Sequence, residues 1–352
     1  MQDVAIVSFV QSDCVRHAGA QNEVELIMPV VQAALKEAGL SSVQDVDFTC
    51  SGSCDYQQGA AFAFVAGVDA LGAVPPIKES HVEMDAAWAL YESWLKIQMG
   101  QAESALIYGF GKSSPGQLSN VLSLQLDPYY LAPLGVDTIS LAAMQARSLL
   151  ESGEASEADL AEVVVNSRAN AKNNPHAQLS GDFTVDQLLA EPETVSPLRK
   201  HDCCPISDGA AAMIICTVEK AKAMGKPYAV IKGIDHRIET HHVTLRDLSR
   251  SPSVEIAGEK AGVHDAPVDV AEIYAPFSHQ EIIVKRALGL DDSVAINPSG
   301  GVLAGHLFMA SGLSRVGEVA KRIIAGEYKR GVAHATSGPC LQQNMITVLE
   351  GM

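Results

Sequence analysis

The chain is poor in basic and aromatic residues. Only 25 lysines and arginines stand against 42 aspartates and glutamates in 352 residues, which gives a formal charge of −17, and aromatic residues make up 5%. A basic surface that binds nucleic acid is therefore not expected. The first residues contain neither a basic segment nor a long apolar run, so the sequence predicts no signal peptide and no membrane span. We expect a cytoplasmic protein.

Cysteine is also sparse. The seven cysteines form an odd number in a long chain, which argues against a disulfide framework and favours reduced thiols. Cys50 and Cys54 are four positions apart, but no second pair stands at a zinc-ligand spacing. His241 and His242 lie in an expected loop and carry little signal. The sequence therefore predicts no metal site.

Hydrophobic residues make up 47% of the chain and follow the periods of strands and helices in alternation. A buried strand is predicted at 4–10, a helix at 22–39, a helix at 86–99 and a strand at 104–109. This alternation is typical of an α/β protein.

The two halves of the chain repeat one pattern. Residues 81–114 run from a strand end into a helix, break at a glycine and resume as a strand that ends in glycine and serine. Residues 297–338 do nearly the same. We therefore expect two similar α/β halves, at 1–217 and 218–352.

The segment at 113–200 departs from this repeat. It is rich in proline and asparagine around two helical patches with apolar faces. Segments of this length are usually functional, so we expect an inserted loop subdomain over a cleft. A dimerisation arm is the alternative.

Four short stretches are more specific than composition. In chain order they are HDCCPISDGAAAMII (201–215), VDVAEIYAPFSHQE (268–281), NPSGGVLAGHLFMASG (297–312) and VAHATSGPCLQQN (332–344). With them the chain resembles the thiolase superfamily, and within it the sterol-carrier-protein-type thiolases and the bacterial lipid-transfer-protein thiolase homologues.

The resemblance implies a duplicated five-layer α/β/α/β/α fold, a dimer, and a loop domain over the active site. It also implies chemistry on coenzyme A thioesters, with coenzyme A as part of the substrate and no covalently bound cofactor. A thiolase of this kind uses a nucleophilic cysteine at the N-terminus of a buried helix, where the helix dipole favours the thiolate.

The sequence departs from the family at that position. The stretch that matches the nucleophile reads MDAAWA, and the residue aligned with the cysteine is Ala86. Tyr274 stands where the family has a histidine, and Leu307 replaces the proline that follows His306. Because an alanine cannot form an acyl-enzyme, ordinary thiolysis is not expected.

The polar residues that remain still allow catalysis. His306 and His334 are expected to polarise a thioester carbonyl. Tyr274 or Asp85 is expected to accept the proton of a β-hydroxyl group, and Tyr274 is favoured. Asp85 lies at the start of a helix, where capping is the alternative role.

Three further residues are expected to bind coenzyme A. Lys112 and Ser113 follow a strand that ends in glycine and are candidates for contact with a phosphate group. Gly305 lies in a glycine-rich stretch that predicts a close approach of the backbone to another group.

Three functions stay open at this stage. The first is retro-aldol cleavage of a β-hydroxyacyl-CoA of the steroid side-chain type, without an acyl-enzyme, and with a small OB-fold (DUF35-type) partner. The second is acyl transfer by a non-standard thiol, such as that of Cys340. The third is a catalytically inert subunit in a complex, which the loss of the nucleophile supports. The resemblance implies either a homodimer or a heterodimer with a thiolase paralogue.

Overall fold

The computed structural model describes residues 2–351 apart from positions 60, 73 and 75. The described strands are β1 (Val4–Gln11), β2 (Phe48–Gly52), β3 (Glu79–Val82), β4 (Ser104–Gly111), β5 (Glu193–Val195), β6 (Leu198–Arg199), β7 (Gly209–Thr217), β8 (Ala229–Ile238), β9 (Val270–Ile273), β10 (Ala295–Ile296), β11 (Arg330–Ser337) and β12 (Gln343–Glu350).

The helices between them connect the strands and cover the sheet. The described helices are α1 (Glu23–Ala38), α2 (Asp55–Gln58), α3 (Phe64–Ala70), α4 (Ala86–Gln98), α5 (Leu118–Ser123), α6 (Thr138–Glu151), α7 (Glu157–Asn170), α8 (Val185–Leu189), α9 (Val218–Met224), α10 (Pro252–Ala261), α11 (Ser278–Ala287), α12 (Gly301–Ala304) and α13 (Ser311–Ile324).

Helix α1 shows how the sequence sets these bounds. Asn22 accepts a hydrogen bond from the Glu25 amide, and the Glu25 side chain accepts one from the Asn22 amide, so the first turn is capped on both sides. Gly39 ends the helix in the left-handed conformation at φ 78°. The helix predicted at 22–39 is confirmed.

The strand order confirms the predicted duplication. One sheet runs β10-β9-β11-β12-β8-β1-β7-β4-β2-β3, and its two halves meet where β1 pairs with β8. Each half contributes five strands to this sheet, because β5 and β6 form a separate hairpin. Numbered along the chain within each half, these five strands follow the same order from the junction outwards: first, fifth, fourth, second, third. The boundary predicted after residue 217 falls at the last residue of β7.

Three apolar cores divide the molecule into five layers. Helix α1 packs on one face of the first half, and α10 and α11 pack on one face of the second. Helices α4 and α13 fill the middle, where the central core takes residues from the strands of both halves. The α/β/α/β/α architecture expected from the resemblance is therefore confirmed.

Residues 112–208, here called the excursion, connect β4 to β7 and carry α5 to α8 with the β5–β6 hairpin. Although they belong to the first half of the sequence, they contact the second. The Ser167 hydroxyl on α7 donates to the Gly300 carbonyl at 2.6 Å, and Arg168 donates to the Leu303 carbonyl. The excursion is therefore attached to α12 and to the residue that precedes it.

No helix in the described part of the chain combines the length and the apolar composition needed to cross a membrane.

The packing of α13 against β1 predicts the effect of one substitution. A Cβ atom at Gly317 would lie 2.2 Å from ring atoms of the buried Phe9. We expect Gly317→Ala to lower the free energy of unfolding by about 1–3 kcal/mol despite the higher helix propensity of alanine. Urea denaturation measures the change.

Gly116→Ala is the control, because a Cβ atom there meets nothing within 4 Å. It should stay within about 0.5 kcal/mol of the wild type. Equal stability of the Gly317 and Gly116 variants would contradict the close packing of α13 on β1.

Candidate functional site

One carboxylate joins the two helices of the middle layer. Asp85 lies directly before α4 and accepts hydrogen bonds from the amides of Ala87 at 2.8 Å, Gly312 at 2.8 Å and Leu313 at 3.2 Å. The last two amides belong to the first turn of α13. A Cβ atom at Gly312 would lie 2.5 Å from this carboxylate, so only glycine permits the approach.

The capping role expected for Asp85 is confirmed, and it extends to a second helix. Burial raises the pKa of Asp85 to about 7, although the three backbone amides and the Arg315 charge lower it. Because its recorded hydrogen bonds go to backbone amides, Asp85 acts as a positioning residue in this structure. Its predicted role as a base stays a prediction.

Ala86 begins α4 and is fully buried. Backbone packs tightly around it, since a Cβ atom at Gly52 would lie 2.4 Å from the Ala86 amide nitrogen. A Cβ atom at Gly109 would lie 2.7 Å from the Ala86 methyl group. The position that the resemblance assigns to the nucleophile is thus a packed methyl group.

Tyr274 and His306 form a buried pair next to these helix termini. Tyr274 follows β9, His306 follows α12, and the Tyr274 hydroxyl lies 2.7 Å from His306 Nε2. The same hydroxyl lies 3.4 Å from the Phe308 carbonyl. Only 5% of Tyr274 and 6% of His306 are exposed. The structure therefore brings together two of the four residues predicted to be catalytic.

A thiol completes the arrangement on the other side of the imidazole. Cys204 Sγ lies 3.4 Å from His306 Nδ1, and the Cys204 amide donates to the Pro276 carbonyl at 2.8 Å. The sequence does not single out Cys204, because no local spacing connects it with a histidine 102 positions away. Tyr274, His306 and Cys204 are here called the relay.

The charge states of the relay follow from its burial. Burial raises the pKa of Tyr274 well above its usual value, with the Asp85 charge as the second cause. Burial, together with the Arg315 charge, lowers the pKa of His306 to about 3. Burial also raises the pKa of Cys204 to about 12. All three groups are therefore neutral near pH 7.

A neutral imidazole carries one N–H group, so its two contacts are linked. If Nε2 accepts the Tyr274 hydroxyl proton, Nδ1–H points at the Cys204 sulfur. If Nδ1 accepts the thiol proton, Nε2–H points at the Tyr274 oxygen. Only the first tautomer, with Nε2 unprotonated, allows Tyr274 to pass its proton to His306.

A buried ion pair fixes the loops that carry the relay. Arg315 on α13 pairs with Glu272 on β9, two residues before Tyr274. Both groups also bind Ser299, whose hydroxyl donates to Glu272 at 2.7 Å and accepts from Arg315 at 2.6 Å. Asn297 Oδ1 accepts from the Ile273 amide at 2.6 Å. The signal that sequence reasoning missed is a charged residue inside an apolar strand.

His334 is not part of this site, contrary to the sequence expectation. Its neighbours Ala333 and Ala335 face the middle layer, whereas Val332 faces the outer core of the second half. Because side chains alternate along a strand, His334 lies on the outer face. There its Nε2 is 2.9 Å from Asn344 Oδ1, and burial lowers its pKa to about 4.

The residues expected to bind coenzyme A are likewise occupied or covered. The Lys112 ammonium donates to the Gln21 carbonyl, and Ser113 is buried. The close approach predicted at Gly305 is present, but its partner is protein, since a Cβ atom there would lie 2.7 Å from Cys14 Sγ. Gly305 directly precedes His306, whereas no contact joins the Lys112 or Ser113 side chain to the relay among the described residues.

Six of the seven cysteines have a raised thiol pKa, so none of these six is an activated nucleophile. Burial raises the pKa of Cys340 to about 12, and its sulfur donates to the Leu141 carbonyl at 3.3 Å. Burial also raises the thiol pKa of five further cysteines, namely Cys14, Cys50, Cys203, Cys204 and Cys216. A thiolate at neutral pH is therefore disfavoured at all six.

A groove of about 1040 Å³ lies between α6 and the connection from β8 to α10. Arg147 and Met144 line it on α6, and Val243, Thr244 and Arg246 line it on the connection. Neither Tyr274 nor His306 belongs to its lining. The groove is therefore separate from the relay.

Comparison with known proteins gives relatives over most of the chain, although no protein-family model matches it. An acetyl-CoA acetyltransferase of Methanocaldococcus jannaschii is 29% identical, with 91% of this chain and 89% of that protein covered. A 17-hydroxy-3-oxo-4-pregnene-20-carboxyl-CoA lyase of Mycobacterium tuberculosis is 26% identical, with 81% and 78% covered. The two names denote different reactions on CoA thioesters.

Among solved structures, an Ltp2-ChsH2(DUF35) aldolase is similar in fold. It matches with a TM-score of 0.82 at 20% identity, over 99% of this chain and 98% of that chain. At this identity the likeness describes the fold alone.

The raised pKa of Asp85 predicts a pH dependence of stability. Between about pH 4 and pH 7 the folded chain holds a proton on Asp85 that the unfolded chain has released. Stability should therefore fall by up to about 1.4 kcal/mol for each pH unit gained in this window. Asp85→Asn removes this contribution, so its stability should vary less steeply with pH.

Urea denaturation at a series of pH values measures the slope. Asp186→Asn, on the surface helix α8, serves as the control and should keep the wild-type slope. A slope for Asp85→Asn equal to that of the wild type would show that Asp85 is ionised in the folded chain across this window.

Proposed function

We propose that the chain is an enzyme of the thiolase superfamily that cleaves a carbon–carbon bond of a β-hydroxyacyl-CoA thioester by a retro-aldol reaction, without an acyl-enzyme. The observation that carries the proposal is the buried contact between the Tyr274 hydroxyl and His306 Nε2. Ala86, where the resemblance places the nucleophile, offers no thiol.

The relay supplies the proton transfer that this reaction needs. The β-hydroxyl of the substrate gives its proton to the Tyr274 oxygen while Tyr274 passes its own proton to His306 Nε2. The bond between Cα and Cβ breaks, its electron pair forms an enolate of the thioester, and Cβ becomes a ketone carbonyl. Tyr274 then gives a proton to Cα and regains one from His306 Nε2, so the relay returns to its starting state and the products are a ketone and a shortened acyl-CoA.

The neutral state of the relay decides how Tyr274 works. With its pKa raised, Tyr274 is a phenol rather than a phenolate, so it cannot accept a proton without releasing one. His306 is the group in contact that takes the released proton, and because its pKa is lowered to about 3 it holds that proton only while the carbon–carbon bond breaks. This role replaces the direct polarisation of the carbonyl that the sequence suggested for His306.

The substrate class rests on the relatives. The mycobacterial relative is named for a 17-hydroxy-3-oxo steroid CoA ester, in which a hydroxyl group stands β to the thioester carbonyl. We extend that class to this chain, and with it a DUF35-type OB-fold partner, which the name of the structurally similar aldolase includes.

A second copy of the chain is proposed at the free edge of the sheet. Strand β3 is the last strand on that side. Next to it lies a hollow of about 630 Å³, lined by apolar side chains that include Val82, Trp88, Tyr91 and Leu95. An edge strand beside an apolar hollow favours pairing with another chain.

Acyl transfer is the second function, because the relative from Methanocaldococcus jannaschii is an acetyl-CoA acetyltransferase. It requires a thiolate. The raised thiol pKa at six of the cysteines weighs against it.

The activity test uses the purified chain with a DUF35-type partner and a 17-hydroxy steroid side-chain CoA ester. We expect the 17-ketone as product with the wild type. Tyr274→Phe removes the relay hydroxyl, so the turnover number should fall by about 10²-fold to 10⁴-fold, as is typical for loss of a general acid–base group. Quantifying the ketone measures the change.

Tyr108→Phe is the matched control, since Tyr108 is equally buried but faces the outer core of the first half. It should keep the wild-type turnover. No ketone from the wild type with its partner present would overturn the proposal. An acyl adduct on a cysteine, seen by intact mass after incubation with acyl-CoA, would favour acyl transfer instead.

The groove gives a separate prediction about coenzyme A. Because the protein carries a charge of −17, the phosphates of coenzyme A need a local positive site. Arg147 lines the groove, and among the described residues its guanidinium donates a hydrogen bond only to the Ser196 hydroxyl. We expect Arg147→Gln to raise KM about tenfold, because the variant loses one charge-assisted hydrogen bond to a phosphate.

Steady-state kinetics compares this variant with Lys112→Gln and Lys36→Gln. Lys36 lies on α1, away from the groove, and its variant should keep the wild-type KM. If only Lys112→Gln raises KM, the phosphate site lies at Lys112, as the sequence predicted, and not in the groove.

A further inference from the structure

Asp127, His241 and His242 bring three metal-binding side chains together. One ligand atom from each lies within 4.8 Å of the other two. Asp127 belongs to the excursion after α5, whereas the two histidines follow β8 in the second half. We propose that these residues form a site for Zn²⁺ that fastens the excursion to the second half of the protein.

The carboxylate of this cluster is held in place. Asp127 Oδ1 accepts hydrogen bonds from the amides of Tyr129 at 3.1 Å and Tyr130 at 2.6 Å. Oδ2 has no recorded hydrogen-bond partner among the described residues, so it is available to a cation. A carboxylate that is already oriented loses little side-chain freedom when it binds a metal.

One imidazole is oriented as well. The hydroxyl of Thr244 lies 3.4 Å from His242 Nδ1, and the Tyr130 ring lies 5.4 Å from the His242 ring, edge to face. A contact at Nδ1 leaves Nε2 of His242 to the metal. Metal-bound histidines usually have such a partner on their second nitrogen.

The backbone on both sides of the cluster is anchored in a small apolar core. Leu126, which precedes Asp127, and Val243, which follows His242, are both buried in it together with Leu141 and Cys340. The segment that carries Asp127 and the segment that carries the two histidines are therefore held together by apolar contacts at the residues adjacent to the ligands. A site assembled on fixed segments needs little rearrangement to bind its ion.

The site lies at the edge of the groove, because Val243 and Thr244 line it. A metal bound by Asp127 and the two histidines would brace the connection that forms this wall. It would have no part in the proton transfers of the relay, so the inference stands apart from the proposed reaction.

The ligand set selects the class of metal. Two imidazoles and one carboxylate suit Zn²⁺ and its transition-metal neighbours, whereas Mg²⁺ and Ca²⁺ prefer oxygen ligands. Three protein ligands leave a fourth tetrahedral position for water. No spacing in the sequence predicts this site, because its ligands come from two distant segments.

Zinc titration of the full-length, metal-stripped chain tests the site. Isothermal titration calorimetry should show one Zn²⁺ bound per chain, and Mg²⁺ should not compete. Zinc should also raise the melting temperature, since it binds the folded chain.

Variants locate the ion. The double variant H241A/H242A and the single variant Asp127→Asn should lose the one-to-one binding, and Thr244→Val should weaken it about tenfold as an orienting partner. The control His17→Ala removes an exposed histidine elsewhere and should bind as the wild type does. Circular dichroism confirms that each variant is folded.

Two results would overturn the inference. One is undiminished one-to-one binding by H241A/H242A, which would place the zinc elsewhere. The other is no stoichiometric binding by the wild type, which would show that the cluster holds no ion.

Discussion

The carboxylate of Asp85 is the interaction on which the rest of the site depends. It binds amides at the start of α4 and of α13, one helix from each half of the duplicated fold. A helix terminus buried without a capping group would leave several amides unsatisfied in the middle layer. Since both termini share one cap, their relative position is fixed. The cap thereby also helps to fix Tyr274 and His306, which lie in the second half next to α13.

The sequence predicted the fold better than the site, for a physical reason. Helix α1 and the repeat that relates α4 to α13 follow from local periodicity, caps and glycine breaks, which act over a few residues. The contact of His306 with Cys204 spans 102 positions and depends on how loops leave the sheet. No spacing in the sequence reports such a contact.

Two signals in the sequence were nevertheless readable. Ala333 and Ala335 alternate with His334, and small residues belong where α13 approaches closely, since a Cβ atom at Gly312 would lie 2.8 Å from Ala335. That alternation places His334 on the other face of the strand. The glycines near Gly305 did indicate a close approach, but the backbone there approaches protein: Ala171 lies against Gly300, and Cys14 lies against Gly305.

The shared cap also suits the proposed chemistry. The N-termini of α4 and α13 converge at Asp85, and the charge of Asp85 is felt at Tyr274. Two helix N-termini favour negative charge near them, and the proposed enolate would carry such a charge. An ionised Asp85 would oppose that charge, but burial raises its pKa to about 7 and so reduces its ionised fraction. Retro-aldol cleavage requires stabilisation of the enolate and a proton acceptor for the hydroxyl, and neither requirement needs the thiol that Ala86 lacks.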